Sequence, residues 1–111
     1  MRFEELRVWN EAIGMTKQVY AMSVRDANLR DQMRRAATSV AANIAEGAGA
    51  GGDAEFRRFL KYARRSCDEI RAHLAVATAI GVIDSALAIT ASAERTGKML
   101  TRLIQALEPP P

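Results

Sequence analysis

The residues of this chain that could carry chemistry are few. There is one histidine, His73, and one cysteine, Cys67. Their spacing puts them on different faces of a helix, and no second His or Cys exists to complete a zinc set. Carboxylate metal sites in helical bundles use Glu-x-x-His pairs, and the sequence contains none. Gly47, Gly49 and Gly52 spell G-x-G-x-x-G, the dinucleotide fingerprint. That fingerprint works only where a strand feeds the turn and a helix N-terminus receives the pyrophosphate. Here a helical pattern precedes the glycines, and no Gly-Lys-Ser/Thr follows, so they read as a flexible connector. No catalytic residue, metal or cofactor is expected.

Asn43 and Glu46 stand beside an otherwise uncharged stretch. As structural residues, Asn43 fixes helix register through a buried hydrogen bond and Glu46 pairs with an arginine of a neighbouring helix. As a general acid or base, Glu46 needs a second titrating group and a pocket, and neither is evident. Gly47 is placed to end the helix that carries them. The structural reading is preferred.

The arginines are the strongest signal. Residues 1–28 hold four bases and four acids, residues 72–111 three of each, and residues 29–71 nine bases against six acids. The whole formal excess of +3 therefore sits mid-chain. At 100° per residue, with the apolar seam from Phe56 to Leu74 as zero, Arg57, Arg58, Lys61, Arg64, Arg65 and Arg71 fall between about 60° and 200°. Glu55, Tyr62, Ser66 and Glu69 lie on the other flank. Arg30, Arg34 and Arg35 can extend this surface if their helix is turned the right way. One reading is a solvated face with local pairs such as Arg64–Asp68 and Arg65–Glu69. The other is a surface that tracks phosphates, each guanidinium gripping backbone oxygens bidentately. Tyr62 is the one aromatic near the patch, so stacking platforms are lacking. On residues alone the solvated face is the more economical.

Four helices must position these side chains. The first is expected over about Glu4 to Val24, with stripes Leu6, Trp9, Ile13, Thr16, Tyr20 and Val8, Ala12, Met15, Val19, Met22. The second runs from about Leu29, after an Asp26 or Asn28 cap, to Glu46, with the stripe Met33, Ala37, Val40, Ile44. Its decade Ala36–Ala45 carries no charge, which predicts cover on most sides, including cover by a second subunit. The third, about Asp53 to Ile80 with Asp53 as cap, has the seam Phe56, Leu60, Ala63, Cys67, Ile70, Leu74, Ala77. Gly81 ends it. The fourth, about Ser85 to Leu107 with Asp84 or Ser85 at its start, has the seam Ala93, Gly97, Leu100, Ile104, Leu107. Gly97 predicts a close helix crossing, because glycine inside a helix costs about 1 kcal/mol. Short connections make the helices antiparallel neighbours in an all-α, up-down-up-down four-helix bundle. Residues 1–108 form this single domain, and Pro109–Pro111 are a disordered tail.

All three prolines stand at the end of the chain, and alanine is abundant, which excludes a loop-rich β fold. Acids near the N-terminus do not suit a signal peptide, and the longest uncharged run, Leu74 to Ile83, is too short to span a bilayer. With one unpaired cysteine, these point to a cytoplasmic protein without a membrane role.

The chain resembles the four helix bundle protein family, also called the ribosomal-RNA intervening-sequence protein family. The opening Phe3-x-x-Leu6-x-Val8-Trp9-x-x-Ala12 looks like its first helix. The most specific stretch is Gln32-Met33-Arg34-Arg35-Ala36-Ala37-x-Ser39-Val40-x-x-Asn43-Ile44-Ala45-Glu46-Gly47, followed by Glu55-Phe56-x-x-Phe59-Leu60-x-x-Ala63-x-x-Ser66-x-x-Glu69-Ile70. The resemblance implies an antiparallel bundle assembled as a homopentameric ring. It is similar to the accessory proteins of diversity-generating retroelements, which work with a reverse transcriptase and nucleic acid through a basic surface. The loop departs from the pattern: Ala48-Gly49-Ala50 stands where an arginine often follows Glu-Gly, so no phosphate-binding role is carried onto it. The resulting expectation is a non-enzymatic homo-oligomer that binds RNA, DNA or a nucleoprotein through the basic face of the third helix. The rival expectation is a protein-interaction scaffold without a nucleic-acid role.

Overall fold

A computed structural model describes residues 2–111. Four helices, α1 (Arg7–Ala21), α2 (Ala27–Ala48), α3 (Asp53–Ala79) and α4 (Leu87–Ala106), form an all-α bundle, with no strand among the described residues. Each packs on the next and α4 returns to α1, while the diagonal pairs do not meet. Contacts run in opposite directions along neighbours. Arg57, Arg64 and Arg71 of α3 reach Leu107, Thr101 and Glu94, descending α4 as α3 ascends. The body measures 46 × 26 × 20 Å.

The expected stripes form the core. All seven positions of the α3 seam are buried, as are Met33, Ala37, Val40 and Ile44 of α2. In α1 the stripe Val8, Ala12, Met15, Val19 points inward, while Trp9, Ile13 and Thr16 are half-buried and Tyr20 is exposed. The α4 seam is shifted from expectation: Thr96, fully buried, faces inward in place of Gly97. Thr96 can do so because its hydroxyl donates to the Ser92 carbonyl at 2.8 Å, which satisfies the polar atom inside the helix. A Cβ on Gly97 would meet nothing within 4 Å, so no helix crosses closely there.

The helix ends correct several expectations. A 3-10 turn, Phe3–Glu5, precedes α1, and Leu6 is extended between them. The Asn10 side chain holds this step by donating to the carbonyls of Glu4 and Leu6, both at 3.0 Å. At its other end α1 stops before Val24, because the Arg25 amide donates to the Val82 carbonyl at 2.8 Å, a bond that no continuing helix could make. Asp26, not Asn28, caps α2 by accepting from the Leu29 amide at 2.9 Å. Asp53 does not cap α3. Gly52 holds that position, and the Asp53 carboxylate sits in the first turn with Glu55, where the helix dipole favours it. Ala86, not Asp84 or Ser85, holds the N-cap position of α4; Ser85 stands one residue earlier, its hydroxyl accepting from the Leu87 amide at 3.5 Å, and the Asp84 carboxylate is taken by Arg25 at 2.9 Å.

Gly81, at φ +76°, closes α3 as expected. Its amide bonds the Thr78 carbonyl and the Val82 amide bonds Ala77, the paired bonds of a Schellman ending. Arg25 also donates to the Gly81 carbonyl at 2.9 Å, so the α1–α2 and α3–α4 turns are stapled to each other.

Gly47 does not end α2. It lies buried inside the helix, and a Cβ there would stand 2.8 Å from Phe59 Cβ and 2.9 Å from Phe56 Cδ1. The glycine lets α3 approach, so the loop proper begins at Gly49. Glu46 is exposed and makes no ion pair among the described residues, against the expected arginine partner. Asn43 stays within its own helix, donating to Ser39 O at 2.8 Å and Ser39 Oγ at 3.0 Å. The crossing bond is one step further, Ser39 Oγ to Ser66 Oγ at 3.0 Å. Of the uncharged decade, Thr38 and Ala42 remain exposed.

Candidate nucleic-acid interface

The α3 seam faces the core, and this divides the six expected cations of that helix among three directions. Arg57, Arg64 and Arg71 lean toward α4. Arg57 is half-buried and donates to the Leu107 carbonyl at 2.8 Å, holding the free C-terminal end of α4. Arg64 donates to Thr101 Oγ1 at 3.3 Å. Arg71 stands 4.0 Å from both Asp68 and Glu94. Neither expected pair, Arg64–Asp68 or Arg65–Glu69, forms: Arg64 turns to Thr101 and Asp68 faces Arg71, while Arg65 and Glu69 stay unpaired among the described residues.

Lys61 and Arg65 point outward, exposed, with no ion partner among the described residues. Arg58 bends the other way. It chelates Glu55 at 2.8 and 3.1 Å, donates to the Tyr62 hydroxyl at 2.9 Å and lies over the Phe59 and Tyr62 rings. The hydrogen bond from Arg58 holds the Glu55 carboxyl below the usual range, and the same contacts raise the guanidinium further. Arg58 is a cation paired with Glu55 rather than a free one.

Arg34 and Arg35 of α2 do not join this face, and the third α2 arginine, Arg30, pairs with its neighbour Asp31 at 3.1 Å. Arg34 turns to α1, donating to the Tyr20 carbonyl at 3.3 Å with its guanidinium 4.8 Å from the Tyr20 ring centre. Arg35 lines the α2–α3 groove beside Gln32, Ser39, Ser66, Glu69 and His73. α2 neighbours α1 and α3 but not α4, so neither arginine can reach the α3–α4 groove.

That groove gains its charge from a helix whose role the sequence concealed. Lys98 and Arg102 of α4 line it opposite Arg64 and Arg71, around a space of about 510 Å³ floored at Gly97. Neither Lys98 nor Arg102 has an ion partner among the described residues, and both are exposed. Residues 72–111 balance only as a segment, because Asp84 precedes α4 and Glu108 follows it. Counting charges within the helix alone, Arg95, Lys98 and Arg102 against Glu94, would have found them.

The lining counts four cations against two acids, Asp68 and Glu94. Two exposed, unpaired cations and two lightly engaged arginines lie along antiparallel helices at a spacing of turns, a spacing that suits successive phosphates rather than base edges. Among the described residues no three His, Cys, Asp or Glu side chains converge on a metal-sized site. Cys67 is buried in the seam, and burial pushes its thiol up to about 12, far from a reactive thiolate. No described helix is long and apolar enough to cross a membrane.

No curated protein matches the chain. The family model of the 23S rRNA-intervening sequence protein matches residues 4–102, which takes in all of α1, α2 and α3 and most of α4. The match includes the Arg34–Gly47 stretch, the Gly47 contact and the cations of the α3–α4 groove. With four helices in the order that resemblance implies, the chain belongs to the 23S rRNA-intervening sequence protein family.

Proposed function

We propose that this protein is a non-catalytic, homo-oligomeric bundle that binds nucleic acid, with RNA the favoured form, through the α3–α4 groove. The observation that carries the reading is the convergence of Arg64, Arg71, Lys98 and Arg102 on one groove, where the two acids of the lining, Asp68 and Glu94, both face Arg71 and the other three cations have no acidic partner among the described residues. The family description names an RNA context, and the resemblance adds a nucleic-acid enzyme such as a reverse transcriptase as a further partner. The groove has no aromatic lining, so binding rests on the backbone and is indifferent to sequence.

The test is a titration of labelled duplex RNA, single-stranded RNA and duplex DNA against the protein across a salt series. Binding is expected at low salt, falling linearly on a log–log plot with a slope of about −3 if four phosphates are engaged at about 0.7–0.9 each. No association at 50 mM salt, or an affinity indifferent to salt, would sink the reading.

A second copy is the expected cover for the face of α1 and α2. Thr38 and Ala42 are exposed on α2, and Trp9, Ile13 and Tyr20 are half-buried or exposed on α1, whose Thr16 hydroxyl contacts the Ala37 carbonyl at 3.3 Å. Light scattering should give a multiple of the 12.1 kDa chain, about 60 kDa for a pentamer. Ala42→Arg should reduce that mass without lowering helicity, and a wild-type monomer at all concentrations would refute the assembly.

A further inference from the structure

A second groove lies on the other side of α4, and its lining differs in kind. It runs between the entry to α1 and the last half of α4, with a volume of about 870 Å³. Leu6, Met99 and Leu103 form its floor, half-buried apolar side chains packed on the edge of the core, with Val8 buried beneath. Arg7, Lys98 and Arg102 form its rim, none with an ion partner among the described residues. The fourth rim cation, Arg95, is engaged by Glu11 at 2.8 Å, and Glu5 is the one acid in the lining.

Met99 and Leu103 are four residues apart, and so are Lys98 and Arg102. They make an apolar rail and a cationic rail side by side along about 7.5 Å of helix. The extended Leu6 opens the far wall by breaking α1 away from the preceding turn. A nucleic acid would find no planar side chain on this floor and would leave its polar edges facing Leu and Met. A bilayer surface is flat and cannot reach residues set between two helices. A ligand that offers apolar side chains four apart, flanked by carboxylates at the same step, meets both rails at once.

We infer that this groove docks an acidic amphipathic α-helix of a partner protein, with its apolar edge against Leu6, Met99 and Leu103 and its carboxylates on Arg7, Lys98 and Arg102. The inference stands apart from the RNA reading, since Arg7, Met99 and Leu103 do not line the α3–α4 groove. The two surfaces share Lys98 and Arg102, so a docked helix and a bound polyanion contend for the same charges.

The probe is a labelled synthetic helix about four turns long, with Leu at helical spacing flanked by Glu, titrated by fluorescence anisotropy against the full chain. Two companion peptides carry Lys for every Glu, or Ser for every Leu. The Glu/Leu peptide is expected to bind at low salt, with at least a tenfold loss for each companion. Arg7→Glu, an exposed substitution at the first turn of α1, should cost the peptide at least tenfold while leaving duplex RNA affinity unchanged. The inference is overturned if the Glu/Leu peptide fails to bind, if the Ser peptide binds equally, or if Arg7→Glu weakens RNA and spares the peptide. Failure of RNA binding with the peptide result intact would remove the proposed function and leave this site standing.

Discussion

Replacing Gly47 by alanine lowers the melting temperature by about 5–15 °C, against the usual sign for glycine inside a helix. A new Cβ would sit 2.8 Å from Phe59 Cβ, 2.9 Å from Phe56 Cδ1 and 3.3 Å from the Phe56 carbonyl oxygen. Phe59 Cβ is anchored to the backbone and cannot rotate away, so α3 itself must move. Overpacking costs about 1–3 kcal/mol, and a clash with a backbone-anchored Cβ belongs at the upper end, above the gain of about 1 kcal/mol from helix propensity. Leucine at the same position should separate α2 from α3 outright. Gly97→Ala is the matched control, because a Cβ there meets nothing within 4 Å and only the propensity gain remains. That variant should melt about 4–8 °C higher. Thermal unfolding followed by circular dichroism decides both, and a Gly47→Ala protein that melts higher than wild type would show that the α2–α3 approach is not tight.

Reversing the charge of α4 has the second large effect. Lys98→Glu combined with Arg102→Glu should weaken duplex RNA binding by about a hundredfold or more at 0.1 M salt and flatten the salt slope by about 1.5 to 2. Both residues are exposed and unpaired, so the double variant should fold normally. Arg58→Ala is expected to change affinity less than twofold, because Glu55 already pairs with that guanidinium. Arg57→Ala is a poor probe. It strips the cap from Leu107, and its effect would mix lost stability with lost binding. Equal losses at Arg58 and at the α4 pair would mean that net charge, not the groove, governs association.

The helices were legible because an apolar side chain every third or fourth residue admits no other regular structure. The α3 seam was read correctly at every position. Ends were less legible, since they depend on partners far along the chain: Arg25 ends α1 by reaching Val82, and Asp84 is drawn off α4 by Arg25. Gly47 was expected to end α2 and Gly97 to mark a close crossing, whereas the close approach is at Gly47 and there is none at Gly97. The sequence shows that a glycine weakens a helix but not which neighbour stands beside it, and only packing separates the two. The basic side of α3 was visible on one helical wheel. Its division among three directions, the turn of Arg34 toward Tyr20 and the contribution of Lys98 and Arg102 depend on how wheels face each other.

The Arg25 staple gives the bundle two unlike ends. At one, the α1–α2 and α3–α4 turns are joined by three hydrogen bonds from a single residue. At the other lie the glycine loop and both chain termini, tied by the hold of Arg57 on Leu107. Tension applied through the termini therefore loads the buried α1–α4 seam and the Arg95–Glu11 pair first, and reaches the Arg25 staple last.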